Sequence, residues 1–124
     1  MDLKKLIALR LIDIITENKT SKITVTQLCD TAGVSRTSFY KHFKDVYEVI
    51  EYIFIQDAMR NMDMYVKNKL NARIIMENWF ASFCIHKEFY RIAIAENGQN
   101  SLIETIISLV EEYNRKIFST ITDD

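Results

Sequence analysis

The densest chemistry in the sequence lies between Thr24 and Glu48. Read as a helix, SRTSFYKHFK places Phe39 and Phe43 on one face, four residues apart. Arg36, Thr37, Tyr40, Lys41 and Lys44 then fall on the other face. That outer face offers a guanidinium, two amines and two hydroxyls, with no carboxylate. An exposed helix side of this kind suits a polyanion. Catalytic groups do not cluster in the same way. His42 and His86 lie in different parts of the chain. Cys84 and His86, two residues apart, lack further ligands for a metal. There is no glycine-rich phosphate loop and no serine in a nucleophile elbow, and Glu111 and Glu112 read as surface charges. The expectation is a non-enzyme without metal or cofactor.

The elements that must position these groups are legible nearby. Thr24 and Gln27 have the spacing of a capping box, so a helix begins at Val25 and runs to Ala32. Gly33 follows, where a positive φ is cheap only for glycine. Ser35 is an N-cap for a second short helix, Arg36 to His42. Asp45 with Glu48 repeats the capping-box spacing and opens a third helix. Leu28, Ala32, Val34, Phe39 and Phe43 can close one small core beneath the pair. This is a helix-turn-helix pattern, whose second helix usually enters the DNA major groove.

Composition agrees. The chain has 124 residues, no proline and two glycines. That is too few turn formers for a sheet protein, so an all-α fold is expected. Residues 1–45 hold eight Lys/Arg against five Asp/Glu, and residues 46–124 hold eight against twelve. A +3 segment on a −4 body therefore lies behind the net charge of −1. Such a division fits a nucleic-acid module, residues 1–46, joined to a helical body, residues 47–124. Cys29 and Cys84 are the only cysteines, and reduced thiols in a cytoplasmic protein are the plain expectation. The N-terminal stretch is broken by charges and too short to span a membrane, so no membrane role is expected.

Outside the motif, residues 2–18 carry Leu3, Ile7, Leu11, Ile14 and Ile15 at one-face helical spacing, with Leu6, Ala8, Leu9 and Ile12 widening that face. Lys4, Lys5 and Arg10 stay outside. A long helix is expected from Val46 to Lys69, with a joint over residues 67–73. Residues 72–97 follow as one helix, or as two with a bend near His86. Trp79, Phe80, Phe83, His86 and Tyr90 form the densest aromatic group there, readable as an aromatic core centred on Trp79 or as the wall of a pocket. Met59 and Met62 read as core or as adaptable pocket lining. Asn97 and Gly98 end that segment. Ser101 with Glu104 caps a last helix, Leu102 to Thr120, whose Leu102, Ile106, Leu109, Val110, Tyr113 and Ile117 make a candidate dimer face or an intramolecular core face.

The stretch ITVTQLCDTAGVSRTSFYKHFKDVYEVI resembles the DNA-binding signature of the TetR family of bacterial transcriptional regulators, over nearly the whole length of that signature. The SRTSFYKHFKDVYEVIEYIF run is similar to the branch containing the activator of dihydroxyacetone kinase genes. The resemblance implies an N-terminal three-helix helix-turn-helix domain, joined by a long helix to a small helical C-terminal region. It implies sequence-specific binding of double-stranded DNA by a homodimer, commonly in repression, tuned by a small-molecule effector or protein partner. The DNA-facing set would be Thr26, Gln27, Ser35, Arg36, Thr37, Ser38, Tyr40, Lys41, His42 and Lys44. Within it Arg36 and Lys41 suit guanine or phosphate, Thr37 and Ser38 suit base edges, and Tyr40 takes the family's phosphate contact. An effector would be sought around Met59, Met62, Trp79, Phe83, His86 and Tyr90. The family often carries a lysine where this chain has Val46, so one backbone contact is expected to be missing, with Lys44 a partial replacement. Only a short region follows Leu70, less than the family's usual regulatory domain. The competing reading is a protein-interaction module that binds DNA weakly or only beside a partner.

Overall fold

A computed structural model describes residues 2–59 and 72–97 together with Glu104, Ser108, Glu111, Glu112 and Arg115; within the helices the side chains at 58, 59, 72, 75, 76, 78, 79, 82 and 97 are not described. The described residues are helical, with no strand among them. The order is α1 (Leu3–Asn18), α2 (Val25–Ala32), α3 (Arg36–Tyr40), α4 (Val46–Met59), α5 (Ala72–Ile85) and α6 (Lys87–Asn97). Residues 104, 108, 111, 112 and 115 are helical as well. The all-α expectation therefore holds over the described chain.

The first four helices each begin where a side chain can serve free N–H groups. Asp2 Oδ1 accepts from Lys4 N–H at 3.0 Å and caps α1. Thr24 Oγ1 accepts from Gln27 N–H at 3.1 Å while Gln27 Oε1 accepts from Thr24 N–H at 2.8 Å, a complete capping box for α2. The box before α4 is shifted. Asp45 Oδ1 accepts from Glu48 N–H at 2.9 Å, but Glu48 Oε1 reaches back to Lys44 N–H, at 3.3 Å, rather than to Asp45. Lys19, at φ 56°, ends α1 in the left-handed region without a glycine, and Gly33, at φ 70°, ends α2. Its N–H and that of Val34 both turn back to Cys29 O.

One buried cluster holds these helices together. α1 contributes Ile7, Leu11, Ile14 and Ile15, the α2–α3 pair Leu28, Cys29 and Phe39, and α4 Val49, Ile50 and Ile53. Phe89, Ile92 and Ala93 of α6 join the same cluster. α1 packs against α2, α4 and α6, so the core beneath the helix-turn-helix is closed by a helix from the C-terminal half. Full burial of one such aliphatic side chain is worth about 1.5–3 kcal/mol, so α6 supports the N-terminal helices as well as its own neighbours. A polar tie lies beside this contact. Glu96 at the end of α6 accepts from Ser21 N–H and Thr20 Oγ1, each at 2.8 Å, and so holds the α1–α2 loop with both carboxylate oxygens.

One boundary and one face differ from the sequence expectation. α3 ends at Tyr40, two residues before His42, because Lys41 and His42 N–H turn to Ser38 O and Phe39 O in a tighter i→i−3 pattern. Of the two readings of the 72–97 segment, the structure takes the second: two helices that break at His86, whose N–H bonds back to Phe83 O at 3.2 Å. Leu9 is 50% exposed, so the apolar face of α1 is narrower than its composition suggested. The long extension of α4 towards Lys69, residues 67–71 of the expected joint and the candidate dimer face Leu102, Ile106, Leu109, Val110, Tyr113 and Ile117 lie outside the described residues, while residues 72 and 73 of that joint already belong to α5. No described helix is long and apolar enough to cross a membrane.

Candidate nucleic-acid interface

α3 is anchored from below and open above. Phe39 and Phe43 are buried, and Phe43 N–H bonds to Phe39 O at 3.0 Å, so the helical turn persists past the end of α3 and brings the two rings together at a tilt. Their centroids are 5.8 Å apart. Tyr52 of α4 meets Phe43 edge-on at 5.5 Å, and Lys4 Nζ caps both rings at 5.5 and 5.2 Å. Lys4 is therefore occupied by a cation–π contact and is half-buried, not a free surface charge. Ser35 Oγ accepts from Ser38 N–H at 3.1 Å and donates to Ser38 Oγ at 3.0 Å. These two serines hold the start of α3.

Arg36, Thr37, Tyr40, Lys41, His42 and Lys44 are exposed, as are Thr26 and Gln27 on α2. Tyr40 stands edge-on against Phe39, centroids 5.3 Å apart, which fixes its ring and leaves its hydroxyl outward. The Arg36 guanidinium lies 5.9 Å from that ring's centroid, so the two largest outward side chains are held together. Arg36 also acts on the helix behind it. Burial pushes the Cys29 thiol up, the positive charge of Arg36 draws it down, and Asp30 adds a smaller upward push. Gln27 spends its carbonyl oxygen on the α2 cap, leaving its amide N–H groups as its outward donors.

The start of α4 bears on the expected gap. Val46 is half-buried against the core, and the buried Tyr47 hydroxyl has no hydrogen-bond partner among the described residues. Neither residue presents a donor outward, and Lys44 is the nearest exposed amine.

The second predicted group divides. Phe83 and Tyr90 pack around Phe54: Phe54 and Phe83 stack at 5.2 Å, and Tyr90 meets Phe83 edge-on at 5.5 Å and Phe89 at 5.0 Å. Phe80 is 72% exposed and does not belong to the group. Phe54 of α4 takes its place. His86 points elsewhere, to Asp57. The side chains of Met59 and Trp79, and Met62 entirely, lie outside the described residues. Asp57 is 2% exposed, and its Oδ2 lies 3.0 Å from His86 Nδ1 and 2.6 Å from Tyr90 Oη. This buried carboxylate was missed by sequence reasoning. The signal was present: Ile50, Ile53, Phe54 and Asp57 follow i, i+3, i+4, i+7 spacing, so a carboxylate sat on an inward stripe. No group of His, Cys, Asp and Glu suited to a metal occurs among the described residues. Comparison with protein-family models, curated proteins and solved structures gives no match.

Proposed function

We propose that the chain is a sequence-specific DNA-binding transcription regulator of TetR type, in which α2 and α3 form the helix-turn-helix and α3 is the recognition element. The observation that carries this reading is the build of α3. A five-residue helix too short to be stable alone is capped by Ser35, pinned by Phe39 and Phe43, and presents Arg36, Thr37, Tyr40 and Lys41 outward. A surface helix with no DNA role has no need of so rigid a mount for an acid-free face. Arg36 then offers two donors to a guanine edge or phosphate, Thr37 a contact to a base edge, and Tyr40 and Lys41 contacts to the backbone. Two subunits would place two copies of α3 in successive major grooves, about 34 Å apart. Repression is the outcome that goes with this reading. An effector or partner that favours one spacing of the two α3 helices over another would regulate it.

Selection of bound duplexes from a random pool, followed by sequencing, tests this. The expected product is a two-fold symmetric site with half-sites about one helical turn apart. Recovery of unrelated sequences at the background rate would overturn it.

A second reading has its own observation. Phe80 and Ile85 of α5 are 72% and 65% exposed, a large apolar surface for one helix. A protein-interaction module would use that surface, with the helix-turn-helix binding DNA only in the assembled complex. DNA binding by the purified chain alone separates the two readings.

A further inference from the structure

Glu96, at the end of α6, grips the backbone that leads into the helix-turn-helix. Its Oε1 accepts from Ser21 N–H and its Oε2 from Thr20 Oγ1, each at 2.8 Å. The bonds continue from there. Thr20 Oγ1, having given its proton to Glu96, accepts from Lys22 N–H at 3.1 Å. Ser21 O accepts from Ile23 N–H at 2.9 Å, and Ser21 and Ile23 are both buried. Thr24 comes next, and its capping box with Gln27 starts α2. A short run of hydrogen bonds thus joins a carboxylate of α6 to the entry of α2.

The base of this grip is firm. Phe89, Ile92 and Ala93 of α6 are buried in the core shared with α1, α2 and α4, so the helix that carries Glu96 cannot slide without breaking that packing. The loop, by contrast, needs outside support. Lys19 at its start has φ 56°, a left-handed conformation that a non-glycine residue keeps where its surroundings impose it.

Charge alone argues against a glutamate here, because a carboxylate on a DNA-binding module repels phosphate. What the carboxylate offers is geometry. Ionised, it accepts from two donors at once through charge-assisted bonds. We propose that Glu96 is a positioning residue for DNA binding: it fixes the loop from Thr20 to Thr24, and so the direction in which α2 presents the exposed Thr26 and Gln27. This role rests on the DNA-binding reading above; the hold on the loop does not.

Three substitutions separate reach from charge. Glu96→Gln loses the charge but keeps an oxygen for Ser21 N–H and gains an amide N–H for Thr20 Oγ1. Glu96→Ala loses the same charge and both contacts. Glu96→Asp keeps the charge but is one methylene short of the loop. The first readout is amide hydrogen exchange of the DNA-free chain, followed by NMR. Ser21 N–H should exchange at least about tenfold faster in Glu96→Ala and Glu96→Asp than in wild type, and stay protected in Glu96→Gln. The second readout is affinity for the duplex recovered by selection, at a temperature where circular dichroism shows every variant folded. An α2 entry that is ordered about one-tenth of the time binds about tenfold more weakly. Glu96→Ala and Glu96→Asp should lose roughly that factor, while Glu96→Gln stays within about twofold of wild type. Removal of a negative charge by itself would tighten binding, so the sign of the Glu96→Ala effect is decisive. Unchanged Ser21 exchange in Glu96→Ala, unchanged or tighter duplex binding by it, or Glu96→Gln as weak as Glu96→Ala would overturn the proposal. If wild type itself binds no duplex, the DNA-binding reading fails and the positioning role with it, while the exchange data still report whether Glu96 holds the loop.

Discussion

Asp57→Ala should cost this protein more stability than any single surface change. In the native structure Asp57 Oδ2 serves two groups, Tyr90 Oη at 2.6 Å and His86 Nδ1 at 3.0 Å. A hydrogen bond to a charged group contributes about 1.5–3 kcal/mol. Two such bonds share one acceptor and are not additive, so the expected loss is about 3–5 kcal/mol. For a chain of this size that corresponds to a fall in Tm of about 10–15 °C. Tyr90→Phe removes one donor and should cost about 2 kcal/mol. The assay is urea denaturation of both single variants and the double variant at one protein concentration, followed by circular dichroism. The double variant should lose at least about 1 kcal/mol less than the two singles together, because the second change removes a partner already orphaned. An Asp57→Ala loss below about 1 kcal/mol, or strict additivity, would refute the claim that this carboxylate binds α4 to α6.

Three other outcomes follow from particular groups. Iodoacetamide on the native protein should label exposed Cys84 first and leave Cys29 largely unlabelled, because burial both shields Cys29 and raises its thiol pKa; mass spectrometry showing equal labelling would contradict this. Glu51 is pushed up by burial first, then by Glu48 and Asp45, against a smaller pull from Lys44. A raised folded-state value means that stability is present below the ordinary carboxylate range and is lost as pH rises through the raised value. Glu51→Gln should therefore raise Tm at pH 7 and match wild type near about pH 3, and no difference at pH 7 would count against it. Gly33→Ala should cost about 1–2 kcal/mol in urea denaturation. Its φ is 70° and a Cβ would meet nothing within 4 Å, so the cost is backbone strain alone; a neutral result would mean that the turn relaxes.

What the sequence disclosed was local. Thr24–Gln27, Gly33 and Ser35 announce their structure because each makes its contact within three or four residues of itself. Phe39 and Phe43 were readable from helical spacing for the same reason. The ties that cross the chain were not readable. Glu96 grips Thr20 and Ser21 from more than seventy residues away, and nothing in the local pattern distinguishes it from any other surface glutamate. Phe89, Ile92 and Ala93 repeat at helical spacing, but spacing does not say which core they enter. The aromatic group went astray at Phe80 because composition marks a cluster and only packing says which rings face inward. The early end of α3 depends on the backbone hydrogen bonds of Lys41 and His42, which neither propensity nor periodicity specifies.

The central claim is that α3 reads DNA sequence, and fluorescence anisotropy with the purified chain tests it most directly. The probes are duplex DNA from immediately upstream of the protein's own gene and a scrambled duplex of the same composition, each at low and near-physiological salt. Tight binding of the first probe that persists at the higher salt is the expected result. Loss of preference for that probe in Arg36→Ala and loss of affinity in Tyr40→Ala, with both variants folded, are expected as well. Equal binding of both duplexes that vanishes as salt rises would reduce the surface to a phosphate contact. No binding of either at low salt would contradict the account.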